Sequence, residues 1–134
     1  MPTIKSDYLG NLRTNPKHLQ SGEEIITDAP LDNNGKGEAF SPTDLVAAAL
    51  GSCMVTIMGI VANKEGKQLE GLSWNTTKVM EDSPRKIKEI IIEFNWDHPF
   101  EDEKLLQKLK NAARTCPVAL SLASDIKQDI TFNF

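Results

Sequence analysis

Polar and apolar residues alternate most regularly at the end of the chain, where Ile126, Gln128, Ile130, Phe132 and Phe134 interleave with Lys127, Asp129, Thr131 and Asn133. A period of two places alternate side chains on opposite faces of a pleated ribbon, so this segment predicts a strand. The same period recurs in "LEGLSWNTTKVM", through Leu72, Trp74 and Thr76, and in "KIKEIIIEFNW", through Ile90, Ile92, Phe94 and Trp96. With "EDSPR" between them the two segments predict a hairpin, with Glu89 and Glu93 on the other face beside Ile87 and Ile91. Helical spacing takes over in "PFEDEKLLQKLKNAA", which sets Leu105, Leu106, Leu109 and Ala113 on one side, lysines opposite and acids in the first turn. After it, Thr115-Cys116-Pro117 opens a short helix, "CPVALSLA", with Pro117 suited to the first helical position and Cys116 at or beside the cap.

The middle of the chain breaks both patterns. From Leu45 to Ala62 there are 18 residues without a charge. Ser41-Pro42-Thr43-Asp44 predicts the start of a helix there, with Ser41 as cap, Pro42 at the first position and Asp44 closing a capping box; the helix should end at Asn63 or Lys64. Its length just reaches that of a membrane span. The abundance of Ala, Gly, Ser and Thr argues instead for the central helix of a soluble domain. Ala47, Ala48, Ala49, Gly51, Ser52 and Gly59 suit close packing against another helix or a second subunit. Upstream, Thr3 to Tyr8 reads weakly as a strand, and "HLQSGEEIITDAP" reads as a hairpin turning at Ser21-Gly22 with Ile25 and Ile26 on its second strand. "PLDNNGKGEAFSP" is the one long loop, a common neighbour of functional sites. Strands, a helix, a hairpin, two helices and a strand give an α+β order, and no repeat or linker divides residues 1–134, so a single domain is expected.

Composition narrows this reading. The chain has 134 residues, 40% hydrophobic and 25% charged, enough for a packed core without disulfide or metal. Its formal charge of −4 and pI near 5.2, with no block of cations, argue against a nucleic-acid partner. The N-terminal "MPTIKSDYLGNLRTNPKH" lacks the order of a secretion signal, so the expectation is a cytoplasmic protein with no membrane partner, whose two cysteines are free thiols or a transient redox pair.

Chemistry therefore centres on sulfur. Cys53 and Cys116 stand too far apart for a CxxC motif, and neither His18 nor His98 has a ligand partner at metal spacing, so no metal or other cofactor is expected. Read alone, Cys53 is a small buried hydrophobe before it is a nucleophile, because mid-helix burial among Met54, Val55 and Ile57 raises a thiol's pKa. Cys116 has the better local electrostatics, at a helix N-terminus. The two can act together only if folding brings them within disulfide reach.

"SPTDLVAAALGSCM" followed by "ARTCPVALSL" resembles the OsmC/Ohr family of thiol-dependent hydroperoxide reductases, over nearly the whole chain. The resemblance implies an OsmC-like fold and an intertwined homodimer, with long central helices wrapped by antiparallel sheets and active sites at the subunit interface. It makes Cys53 the peroxidatic cysteine, Cys116 the resolving cysteine and Arg13 the residue that holds the first thiolate. The family's partner for that arginine is a glutamate directly after the helix-opening proline, where this chain has Thr43. Asp44, one residue on, either replaces that glutamate as partner of Arg13 or caps the helix, and its spacing from Ser41 favours the cap. The departure points to a less characterised branch.

The implied activity is reduction of organic hydroperoxides to alcohols, through a Cys53 sulfenic acid and a Cys53–Cys116 disulfide that an external dithiol reduces. Lowering a thiol pKa from about 8.5 to below 6 raises the thiolate fraction at most about thirtyfold, and nucleophilicity falls along with the pKa. Positioning of the peroxide and stabilisation of the leaving alkoxide by a guanidinium must supply the rest. Met54, Ile57, Met58, Leu120 and Leu122 are candidates for an apolar entry and equally for plain core. Two other readings stand beside this one: a non-enzymatic or vestigial relative binding a small apolar ligand at the dimer interface, and a structural dimer in which both thiols are filler.

Overall fold

The computed structural model describes all residues, 1–134. It contains six strands and three helices in an α+β order, and contacts along the chain form two compact units, Met1–Val46 and Ala47–Phe134.

The first unit is a three-stranded antiparallel sheet, β1 (Ile4–Gly10), β2 (Arg13–His18) and β3 (Thr27–Asp28), in that order. β1 and β2 join through Asn11 and Leu12, both at positive φ (54° and 62°), between the paired Gly10 and Arg13. Two consecutive left-handed residues match the twist of a tight hairpin. Neither residue is glycine, which is why this hairpin escapes a composition-based reading. The turn around Ser21-Gly22 forms as expected, with Gly22 N–H donating to the His18 carbonyl at 2.8 Å. The strand after it is shorter than expected. Pairing with β2 is confined to Arg13↔Asp28 and Thr14↔Thr27, plus an isolated bridge Lys17↔Glu24, and Ile25 and Ile26 lie exposed. Pro16 has no N–H to donate, and the Asn15 side chain takes the Ile25 carbonyl instead (2.9 Å).

The long loop from Ala29 to Phe40 contains one 3₁₀ turn, Leu31–Asn33. A side chain at Gly35 would overlap the Ala29 carbonyl, so glycine is required there. Helix α1 (Pro42–Lys64) then begins as its sequence predicts: Ser41 N–H donates to Asp44 Oδ2 and Asp44 N–H to Ser41 Oγ, both at 3.0 Å. It ends with Gly66 at φ 71° and Lys67 N–H donating to the Ala62 carbonyl at 3.0 Å.

The second unit holds the apolar core. One stripe of α1 is buried, Ala47, Leu50, Gly51, Met54, Met58 and Ala62, at helical spacing. Its partners are the mixed sheet β4 (Leu72–Glu81), β5 (Lys86–Trp96), β6 (Lys127–Asn133), and helix α2 (Glu103–Arg114), which buries Leu105, Leu106, Leu109 and Ala113 as its pattern predicts. Asp102 caps α2, accepting from Leu105 N–H at 3.1 Å. β4 and β5 are antiparallel, with Trp74↔Phe94 and Leu72↔Trp96 in register. β6 pairs with β5 in parallel, unlike the antiparallel pairing expected of the sheets, because α2 and the short helix α3 (Pro117–Ser121) carry the chain back across the sheet.

Ile87 departs from the expected facing. The register steps from Val79↔Glu89 to Met80↔Ile87, leaving Lys88 as the extra residue of a bulge. Past the bulge the phase of the strand inverts, so Ile87 turns into the core with Ile90 and Ile92 rather than standing beside Ile91.

Gly51 is the tightest point of this core. A Cβ there would lie 2.5 Å from Trp74 Nε1 and 3.0 Å from Trp74 Cδ1. Gly51→Ala should cost up to about 2 kcal/mol, overpacking of about 1–3 kcal/mol being offset in part by a gain of about 1 kcal/mol in helix propensity. Adding Trp74→Phe should recover part of that loss, and a urea-unfolding double-mutant cycle reads the coupling.

Candidate active site

α1 carries Cys53 two residues beyond Gly51, half-buried. Cys53 lies in the row Val46, Ala49, Cys53, Thr56 and Ile60, of which Val46, Ala49, Thr56 and Ile60 are exposed, and itself packs against the edge of the core. Cys116 is the N-cap of α3 and has no exposed surface. Its Sγ accepts the Ala119 N–H at 3.4 Å, and the Gln128 side chain holds the Ala119 carbonyl at 3.0 Å. Both cysteines are free thiols.

These two thiols are close enough to interact despite their separation in sequence. Cys116 is pushed above the ordinary thiol range, first by burial and then by the hydrogen-bonding and charge of the adjacent Cys53; the Ala119 and Val118 N–H groups pull the other way and lose. The helix terminus does favour the thiolate, as expected, but burial outweighs it. α3 is only five residues long, and the cost of burying a charge there exceeds what its first N–H groups return.

In the first unit, Arg13 opens β2 and faces Asp28 in β3. The contact is bidentate: Arg13 Nε donates to Asp28 Oδ1 at 2.7 Å and Nη2 to Oδ2 at 2.8 Å. Asp28 is 1% exposed, and its Oδ2 also accepts the Glu38 N–H at 3.1 Å. The hydrogen bond from Arg13 holds the Asp28 carboxyl below the usual carboxylate range against the opposing effect of burial, with the Arg13 charge, the Glu38 N–H and Lys36 reinforcing it. The same bond raises Arg13. Asp44 closes the capping box with Ser41.

Asp28 is thus the carboxylate that grips Arg13, and the sequence reading does not single it out. A signal was present: a lone carboxylate within a short β-prone run, Ile25-Ile26-Thr27-Asp28, invites a search for a cation in the facing strand. The histidines stay apart from this chemistry, His18 bonding Ser21 Oγ within the turn at 2.6 Å.

Residues 35–131 match the family model of OsmC-like proteins. The chain belongs to the OsmC-like family. It is 48% identical to a solved structure from Psychrobacter arcticus 273-4, described as a candidate osmotic stress induced and detoxification response protein, with a TM-score of 0.94 over 99% of this chain and 96% of that one. The organic hydroperoxide resistance protein OsmC from Legionella pneumophila shares the fold at 17% identity and TM-score 0.75, over 100% and 98% of the two chains. An organic hydroperoxide resistance protein from Elizabethkingia anophelis does so at 17% identity and TM-score 0.69, over 98% and 96%. Comparison with proteins of curated function returns no match. The OsmC-like fold expected from the cysteine contexts is the fold observed.

Two outcomes test the site's electrostatics. Iodoacetamide at pH 8 should modify Cys53 in the folded protein and reach Cys116 only after denaturation, as peptide mass mapping will show. The Asp28 carboxyl has a depressed pKa in the folded chain, so its contribution to stability is complete above the unfolded value of about 3.9 and is lost as pH falls through the folded one. Wild type should consequently lose stability more steeply than Asp28→Asn between about pH 5 and pH 2 in urea titrations.

Proposed function

We propose that this protein is a cysteine-based reductase of organic hydroperoxides. The reading is carried by the juxtaposition of Cys53 and Cys116, one half-exposed and the other buried and held as the neutral thiol. Membership of a family whose solved members include organic hydroperoxide resistance proteins supports a role in peroxide stress.

Cys53 thiolate attacks the terminal oxygen of the hydroperoxide. The O–O bond breaks, sulfur is oxidised to the sulfenic acid, and the alkoxide takes a proton and leaves as the alcohol. Arg13 serves to orient the peroxide and to offset the charge developing on the leaving oxygen. Cys116 then attacks the Cys53 sulfur. An S–S bond forms, and the sulfenic hydroxyl departs with the Cys116 proton as water. Two electrons from an external dithiol restore both thiols and leave that dithiol oxidised. A neutral Cys116 suits this order, because it neither repels the Cys53 thiolate nor competes with it for peroxide.

The same reading includes a homodimer, the usual state of the family. Every buried hydrophobic side chain in the single chain lies at or beyond Ala47. Residues 1–46 instead expose Tyr8, Leu9, Ile25, Ile26 and Phe40, and α1 exposes Val46 and Ile60 on the row that contains Cys53. A unit of that size without apolar burial of its own requires a partner surface. A second reading, a vestigial relative that binds a small apolar ligand at the interface, draws on Thr43 in the position of the family glutamate. It requires slow, non-saturating peroxide reduction with a persistently reduced pair.

Reduced protein treated with one equivalent of cumene hydroperoxide should lose two mass units and yield a peptide linking Cys53 to Cys116. Cys53→Ser should abolish peroxide consumption driven by dithiothreitol, and consumption at the wild-type rate would remove Cys53 from the reaction.

A further inference from the structure

In this chain the position of the family glutamate holds Thr43, and a different carboxylate grips the arginine. We propose that Asp28 is the positioning residue for Arg13, fixing the guanidinium so that its outer edge alone is offered to the reacting oxygens. The inference rests on the hydroperoxide reading for its chemistry and on the Arg13–Asp28 geometry for its substance.

A guanidinium has five N–H donors in one plane. Asp28 takes two of them, Nε–H and one Nη2–H, through both carboxylate oxygens. Three remain, two on Nη1 and one on Nη2, and together they form a second fork able to grip an oxyanion from two sides. Glu38 also approaches this group, with Oε2 3.8 Å from Nη2 and a side chain 63% exposed, so it stands at the fork without holding it. Asp28 itself has little freedom. It is buried, Glu38 N–H binds its Oδ2, and its own N–H donates to the Phe40 carbonyl at 3.1 Å. Ala29 N–H beside it bonds the Leu12 carbonyl at 3.1 Å, next to Arg13. The carboxylate is thereby tied to the hairpin that carries Arg13 and to the end of the long loop. A side chain with four rotatable bonds is reduced to one orientation by a partner that cannot itself rotate, which is what a preorganised cation at a reacting centre requires.

The experiment combines activity with a direct view of the guanidinium. Asp28→Asn, Arg13→Gln and the double variant are compared for kcat/KM with cumene hydroperoxide, and the Arg13 Nε–Hε resonance is followed by heteronuclear NMR. Asp28→Asn should lower kcat/KM about 100-fold, the scale of a misplacement of about 1 Å. Arg13→Gln should lower it at least as far, and the double variant should be no worse than Arg13→Gln, since both changes remove one function. The Arg13 Nε–Hε resonance should be slow to exchange in wild type and should move to the position of a free arginine in Asp28→Asn. Should Asp28→Asn fail to fold, the wild-type resonance titrated downward from pH 6 must shift as Asp28 takes up its proton.

Activity of Asp28→Asn within about threefold of wild type would overturn the inference. So would losses that multiply in the double variant, or an Arg13 resonance indifferent to Asp28. A wild type that consumes no hydroperoxide brings down the functional reading alone, because the resonance still decides whether Asp28 holds Arg13.

Discussion

The burial of Leu50, Met54 and Met58 against the mixed sheet is the constraint from which the second unit follows. These three side chains have no exposed surface, and they recur at intervals of four along α1, so they fix both the axial position and the rotation of the helix. Gly51, within the same stripe, admits the Trp74 indole against the helix backbone and sets how closely helix and sheet approach. With rotation fixed in this way, Cys53 falls at the edge of the core rather than within its buried stripe. The residue is half-buried while its neighbours along the row are exposed, a placement that a more symmetrically buried helix would not give.

The same geometry separates the two thiols chemically. Cys116 is drawn into the interior by Pro117 at the first position of α3 and by the Ala119 contacts, and there the cost of a charge keeps it protonated. Cys53 has partial access to solvent. Burial is thus the dominant influence on the Cys116 thiol, ahead of the adjacent Cys53 and of the N–H groups that oppose it.

Much of this was legible in the residue pattern. The capping box of α1, the buried face of α2, the long hairpin and the final strand all follow from local periodicity and local capping chemistry, which act within a few residues. The parts that were not legible depend on register. Ile87 changes face because one extra residue at Lys88 shifts the phase of β5, and no alternation rule counts a bulge. The hairpin at Asn11-Leu12 uses left-handed residues without glycine. Asp28 reads locally as a turn aspartate before Ala29-Pro30, and only its pairing opposite Arg13 across β2 and β3 makes it the partner of a cation. Likewise, nothing near Cys116 in sequence shows that burial would outweigh the helix terminus. That balance is set by how deeply α3 is seated.

Cys116 also serves as the cap of α3 through the bond from Ala119 N–H to its sulfur. Serine is among the best residues for that position, and it differs from cysteine by one atom. Replacement by serine would keep the helix end satisfied while removing the second sulfur. A lineage carrying this fold thus stands one codon change from a well-folded descendant with a solitary thiol, whose architecture need carry no scar of the exchange.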